Sequence, residues 1–271
     1  MKTKFLRLSA VAIVVIAILS ASFFFSCSDK EDSYTQKEIN ESLFSKSRSE
    51  ASFDLNPFDD VGYLHNIFVS EIYPTIPYGV KTEDVLDICS NYFFDNGYDT
   101  TNIGSIVYSI INNIDNFYFE NINELNIAEG SKDLLKKLFI DFASMVVNQN
   151  ITDYSVYKEF ITNFERDIIT DKIFIAENDK AVVLSTTSTL RYSLYYWINN
   201  NDYNNSKKAP GWLKALVIVG ADALGGAIGT AIGASGPAGA VSSILVGYLM
   251  AEEGEATITV DEEAGKVTIG V

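Results

Sequence analysis

The segment that most constrains the fold is a long apolar run near the C-terminus, residues 209–250. Its centre repeats a four-residue unit in which alanine, an aliphatic residue and glycine follow one another. Residues four apart stack on one face of a helix, so the repeat predicts a helix with a flat glycine stripe. Each glycine costs about 1 kcal/mol relative to alanine, and close approach of another backbone would offset that cost. The predicted packing stripe consists of Gly225, Gly229 and Gly233.

The same run predicts a helical hairpin over residues 209–251. Ser235-Gly236 would end the first helix, and Pro237 suits the first turn of a second. The glycine spacing resembles that of glycine-zipper helices in membrane-associated and bacteriocin-like proteins. An arm over 212–234 would be about 34 Å long, enough to cross a bilayer. Asp222 would cost roughly 3 kcal/mol inside lipid, so we expect a hairpin packed on the protein, with membrane insertion or an oligomerisation face as alternatives.

Residues 1–26 have the pattern of an export signal. Three basic residues precede an apolar segment over 8–25, and Ser26-Cys27 is followed by a polar run. This junction resembles the lipobox of bacterial lipoproteins, although Phe24 and Phe25 stand where small and aliphatic residues are commoner. The resemblance implies cleavage before Cys27 and diacylation of its side chain. The alternative is an uncleaved signal anchor, because the apolar segment is just long enough to span a membrane.

A short charged segment directly follows this cysteine. It resembles the surface-export tag of Bacteroidetes lipoproteins and implies an outer-membrane protein that faces outward, anchored by lipid. Acyl chains contribute about 0.8 kcal/mol per buried CH₂, which makes such an anchor stable when more than one chain is attached. The alternative is an ordinary charged tether. The segment consists of Asp29, Lys30, Glu31 and Asp32.

Charge excludes one class of partner. The chain carries a net charge of −16 at pH 7, and loss of the basic signal would make the mature protein more acidic still. A surface this acidic repels phosphate backbones, so no nucleic-acid partner is expected.

The remaining chain predicts a mainly α fold. Residues 27–55 are rich in serine, lysine and glutamate and predict a flexible tether. A helical domain over 56–208 should begin at Asn56-Pro57, with an apolar stripe through Val61, Leu64, Phe68 and Ile72. Further helices are predicted over 83–95, 131–148, 153–170 and 181–199, and over 101–125, where a strand is the alternative.

The last residues, 252–271, predict a β-hairpin. Strands over 256–260 and 266–270 alternate apolar and polar residues around an acidic turn. A lone hairpin is marginally stable in water, so its apolar face should pack on the helices. That face consists of Ile258, Val260, Val267 and Ile269.

Two residues are candidates for chemistry. His65 could be a metal ligand or a general base oriented by Asp59 or Asp60, but a half-buried histidine bonded to a neighbour is the favoured alternative. Cys89 lies in a helical pattern, where cysteine usually acts as a small buried apolar residue. The sequence has no phosphate loop, dinucleotide fingerprint, HExxH or G-x-S-x-G motif. We therefore predict no catalytic residue, metal or cofactor.

Two further positions could contact ligands or carry a modification. Tyr195, Tyr196 and Trp197 could form an exposed aromatic cluster for a glycan or protein partner, with core packing as the alternative. Asp99-Thr100-Thr101 resembles the Bacteroidetes O-glycosylation sequon, which implies a glycan on Thr100; the alternative is a loop cap.

These features favour a surface-anchored lipoprotein with a non-enzymatic structural or binding role. One alternative is a membrane-active protein, toxin-like or bacteriocin-like, that uses the glycine-zipper hairpin. A hydrolase with an unrecognised site is the third hypothesis. Self-association through the glycine stripe is a further candidate interaction.

Overall fold

The computed structural model describes residues 48, 50–77, 79–148, 153–199, 212–232, 235–252 and 257–270. Within these residues the predicted mainly α fold is confirmed, and so is the C-terminal β-hairpin. The elements are α1 (Asp59–Ile72), α2 (Thr82–Asp95), α3 (Ile103–Asn112), α4 (Phe119–Glu124), α5 (Glu129–Val147), α6 (Tyr154–Ile169), α7 (Glu177–Asn199), α8 (Trp212–Ile232), α9 (Ser235–Glu252), β1 (Thr257–Asp261) and β2 (Lys266–Gly270).

Helices α8 and α9 form an antiparallel hairpin in the middle of the molecule. At their crossing, a methyl group placed on Gly225 would lie 2.8 Å from Ser242 Oγ and 2.9 Å from Gly239 Cα. The two backbones therefore pack closer than any side chain on Gly225 would allow. Helix α8 also contacts α3, α5 and α7, while α9 contacts α1, α2 and α3. The protein covers both arms of the hairpin.

Helix α7 is polar in sequence but buried in the structure. Its central serines and threonines have small side chains, which let α8 and α1 approach closely. Three of their hydroxyls donate to backbone carbonyls: Thr186 Oγ1 to Val182 O at 2.7 Å, Thr187 Oγ1 to Leu184 O at 3.0 Å and Ser188 Oγ to Asp59 O at 2.9 Å. This run looks like an exposed helix face in sequence. Its buried members are Ser185, Thr186, Thr187, Ser188, Thr189 and Ser193.

The buried face of α1 differs from the predicted one. A methyl group on Gly62 would clash with Ser188 O, so α1 and α7 meet at this glycine. That contact turns His65 inward and leaves Leu64 40% exposed. The helix also begins at Asp59 rather than near Pro57, because the Asn56 side chain accepts a hydrogen bond from Phe58 N at 2.8 Å before the helix starts.

The segment predicted as one helix over 101–125 is instead α3, a 3-10 turn (Ile114–Asn116) and α4. The break lies at Phe117 and Tyr118, whose φ angles of 51° and 66° are in the left-handed region. That conformation costs roughly 1–2 kcal/mol per residue. Both rings are fully buried, and Tyr118 Oη donates to Val217 O of α8 at 2.7 Å, which offsets the cost.

The end of the predicted tether is packed against the body. Ala51 is fully buried, and Phe53 N donates to Asp59 Oδ1 at 3.1 Å. Residues 51–53 of the predicted tether over 27–55 therefore pack on the folded body; residues 27–47 and 49 lie outside the described residues.

The β-hairpin packs on the helices as predicted. Strand β1 pairs with β2 in antiparallel register, with Ile258 opposite Ile269. Both strands contact α5, and the Ser144 hydroxyl donates to Glu262 in the turn. Three residues of the predicted face are buried and Val260 is half-buried.

Candidate functional site: a buried histidine and carboxylate

The strongest cluster of chemistry-bearing side chains lies where α1, α7, α8 and α9 meet. His65 comes from α1, Ser193 from α7 and Asp222 from the middle of α8, and all three are fully buried. Gly239 of α9 closes the site, because a methyl group there would lie 3.4 Å from His65 Cδ2. The hairpin and its two neighbouring helices therefore share one polar centre.

The hydrogen bonds assign the tautomer of His65. Asn66 Nδ2 donates to Tyr192 O at 2.7 Å, which leaves Asn66 Oδ1 as an acceptor. His65 Nδ1 lies 3.0 Å from that oxygen, so Nδ1 carries a proton. The other ring nitrogen, Nε2, faces Asp222 Oδ2 at 3.5 Å. The Ser193 hydroxyl donates to the same oxygen.

Burial sets the protonation of both groups. It lowers the pKa of His65 to about 4, against the opposing effect of the Asn66 hydrogen bond. It raises the pKa of Asp222 to about 8, although hydrogen bonds from Ser193, Ser243 and Trp197 favour the ionised form. At neutral pH the site therefore holds an uncharged carboxylic acid facing an uncharged imidazole.

This set has the residue types of a hydrolytic triad but a different arrangement. In a triad the histidine takes the proton of the nucleophile and the carboxylate orients the histidine. Here Ser193 donates to Asp222 instead of to His65. Ser193, Asp222 and His65 therefore connect α7, α8 and α1 through the core.

A second buried cluster joins α1, α6 and α7. The Arg191 guanidinium is fully buried; its Nη2 donates to Asp59 Oδ1 at 2.6 Å and lies 3.3 Å from Glu165 Oε1. Asn56 Nδ2 donates to the same glutamate oxygen at 2.8 Å, and Tyr192 Oη donates to Asp59 Oδ2 at 2.9 Å. Desolvation lowers the pKa of Arg191, but the charges of Glu165 and Asp59 outweigh it and raise the pKa overall. Burial raises the pKa of Glu165, against the opposing effect of Arg191.

An open cavity of about 510 Å³ lies beside this second cluster. Two of its acids are already engaged, since Asp59 binds Arg191 and Asp60 binds Arg48 at 3.2 Å. These contacts also correct a prediction: neither acid orients His65. The cavity is lined by Arg48, Ser52, Asp54, Asn56, Pro57, Asp59 and Asp60.

Two of the three residues considered for an exposed aromatic cluster are buried in the structure. Tyr196 and Trp197 are only 8% and 6% exposed, and the Trp197 ring packs edge-on against Tyr73 at 5.4 Å between centroids. Tyr195 is half-buried against Tyr154. Core packing, the alternative considered for this cluster, is what the structure shows for Tyr196 and Trp197.

The remaining candidate residues from the sequence lie in different parts of the structure. Cys89 is fully buried, and burial raises the pKa of its thiol to about 12. Thr100 is half-buried, and the Asp99 carboxylate accepts from Thr101 N at 2.9 Å. Gly225 and Gly229 are buried. Cys27, the residues of the predicted export tag and Gly233 lie outside the described residues.

Among the described residues, no group of three or more histidine, cysteine, aspartate or glutamate side chains could hold a metal ion. One described helix is long and apolar enough to cross a membrane, over Lys214–Ala231, and 78% of that stretch is buried inside the protein. Comparisons with protein-family models, with curated proteins and with solved structures find no match.

The buried cluster around Arg191 should contribute to the stability of the fold. Arg191→Met leaves Glu165 and Asp59 without their cation, and we expect a loss of about 3–5 kcal/mol in the free energy of unfolding, measured by urea denaturation. Adding Glu165→Gln should recover part of that loss. The control is Lys137→Met, which removes an exposed pair with Asp141 and should cost less than about 1 kcal/mol. Equal losses in Arg191→Met and Lys137→Met would show that the buried cluster carries no special stability.

Proposed function

We propose that this chain is a lipid-anchored protein of the outer membrane that faces the cell surface, and that its helical body has a structural or binding role rather than a catalytic one. The membrane would be its constant partner, held through Cys27. A protein or glycan would be the soluble partner, and the net charge of −16 argues against a nucleic acid.

One observation carries the proposal for the body. The side chains best suited to chemistry, His65, Asp222 and Ser193, are fully buried and face one another between four helices. A nucleophile and base need a substrate within hydrogen-bond reach. Because these groups meet each other instead, their placement supports a role in holding the helices together.

The proposal for the anchor rests on the sequence. A basic start, an apolar segment over 8–25, a cysteine and a charged run follow one another in the order that lipid-anchored exported proteins use. Two acyl chains bind a membrane far more stably than one, so the chain would be attached to the membrane without crossing it.

Metabolic labelling with palmitate tests the anchor. We expect the full chain to incorporate label in its native type of host and Cys27→Ala to lose it, because the acylated thiol is gone. Cys89→Ala is the matched control and should keep full labelling, since Cys89 is buried in the body. Undiminished labelling of Cys27→Ala would refute lipidation.

Protease treatment of whole cells tests whether the protein faces outward. The wild type should be degraded, and a variant with alanines at residues 29–32 should be protected.

A second candidate function is membrane activity through the α8–α9 hairpin. The observation that favours it is the stretch Lys214–Ala231, whose mean hydropathy of 1.4 suits a membrane span. In the folded protein this stretch is mostly covered, so insertion would require the hairpin to leave α1 and α7.

Dye release from liposomes separates the two functions. We expect no release when the full chain is added at micromolar concentration, because the hairpin is packed inside the body. Release that is lost in Gly229→Leu but kept in Gly130→Leu would instead favour insertion. Gly130 is the control because it is exposed and has nothing within 4 Å of its Cβ position.

A further inference from the structure

We propose that His65 and Asp222 together hold one shared proton in the folded protein, and that this proton makes the seating of the α8–α9 hairpin on α1 and α7 tolerant of acid and sensitive to alkali. The inference concerns the stability of the body and does not depend on the proposed anchor.

The contact between His65 and Asp222 favours a proton between the two side chains. The Asn66 side chain fixes a proton on His65 Nδ1, so the neutral ring presents the lone pair of Nε2 to Asp222 Oδ2 at 3.5 Å. If Asp222 were ionised beside this tautomer, two acceptors would face each other in a fully buried site. One proton between the nitrogen and the oxygen turns that repulsion into a favourable contact.

The surroundings place the proton on Asp222. The groups that face the carboxylate are His65 from α1, Ser193 and Trp197 from α7, and Ser243 from α9, none of which brings a fixed charge. Tyr118 also lies near Asp222, and its hydroxyl donates to Val217 O. Without a neighbouring cation, burial favours the uncharged carboxylic acid.

The basic side chains on the same helices are used elsewhere. Lys180 of α7 pairs with Asp171 and Glu177 at the start of that helix. Arg191 of α7 binds Asp59 and Glu165, and Lys214 of α8 donates to Met250 O at the far end of the hairpin. None of the three contributes charge to the His65–Asp222 pair.

The pH dependence follows from counting protons. In the unfolded chain His65 loses its proton near pH 6.5 and Asp222 near pH 3.8, whereas the folded pair has pKa values of about 4 and 8. Between about pH 4 and 6.5 both states hold one proton, on Asp222 when folded and on His65 when unfolded, so the pair adds no pH dependence. From about pH 6.5 to 8 only the folded state keeps it. Stability therefore falls as pH rises, because the unfolding equilibrium constant increases by about 30-fold over this range.

The predicted pH dependence of stability can be tested by urea denaturation of the full chain in a non-ionic detergent, followed by tryptophan fluorescence. Asp222→Asn keeps the shape of the side chain and removes its titration. Relative to Asp222→Asn, we expect the wild type to lose stability between pH 5 and pH 8. The ratio of the two folding equilibrium constants, wild type over variant, should fall by about 500-fold. Asp222→Asn should itself lose stability as pH falls below 6.5, because His65 then protonates only when unfolded.

The control is Asp133→Asn, which removes an acid that is 71% exposed. Its stability relative to the wild type should change by less than about threefold over the same range. A change that small for Asp222→Asn as well would overturn the proposal, because Asp222 would then titrate alike in both states.

Nuclear magnetic resonance gives a test that does not need a variant to fold. His65 is the only histidine of the chain, so ¹⁵N-histidine labelling of the full chain yields one imidazole. We expect a neutral ring with its proton on Nδ1 at both pH 7 and pH 5.5. An imidazolium signal at pH 7, or a titration midpoint near pH 6.5, would contradict the proposal.

Discussion

The fold depends on close contact between helix backbones at small residues. Gly225 lets α9 approach α8, and a methyl group on Gly226 would lie 2.6 Å from Thr189 Oγ1 of α7. Gly62 plays the same part between α1 and α7. Apolar ridges alone would hold these helices about 8–10 Å apart, whereas small residues allow a tighter approach with dispersion contacts along the whole crossing.

Tight packing has a consequence for polar groups. Once α7 is enclosed by α1, α6 and α8, its hydroxyls and charges must find partners inside the protein. The hydroxyls of Thr186 and Ser188 donate to backbone carbonyls, Arg191 binds two carboxylates, and Ser193 donates to Asp222. The side chains that could have served catalysis thus connect the hairpin to the rest of the body, which is why we favour a structural or binding role.

Local patterns predicted much of this fold, and long-range contacts explain what they missed. Helical periodicity over 131–148 and strand alternation near the C-terminus are properties of neighbouring residues, and α5 and the β-hairpin agree with them. Which residue of α1 points inward depends instead on the contact of Gly62 with Ser188. His65 and Asp222 are each unusual in the sequence, as the only histidine and as an acid in an apolar helix. Nothing local shows that they face each other.

The most direct test of the central claim is the stability of Gly225→Leu, measured by urea denaturation of the full chain. The larger side chain has no room against Ser242 and Gly239, so we expect a loss of about 1–3 kcal/mol in the free energy of unfolding. At the exposed helical position Gly130, the same change should be neutral or stabilising by up to about 1 kcal/mol. If Gly225→Leu proved as stable as Gly130→Leu, the glycine face of α8 could not be packed against α9 as described here.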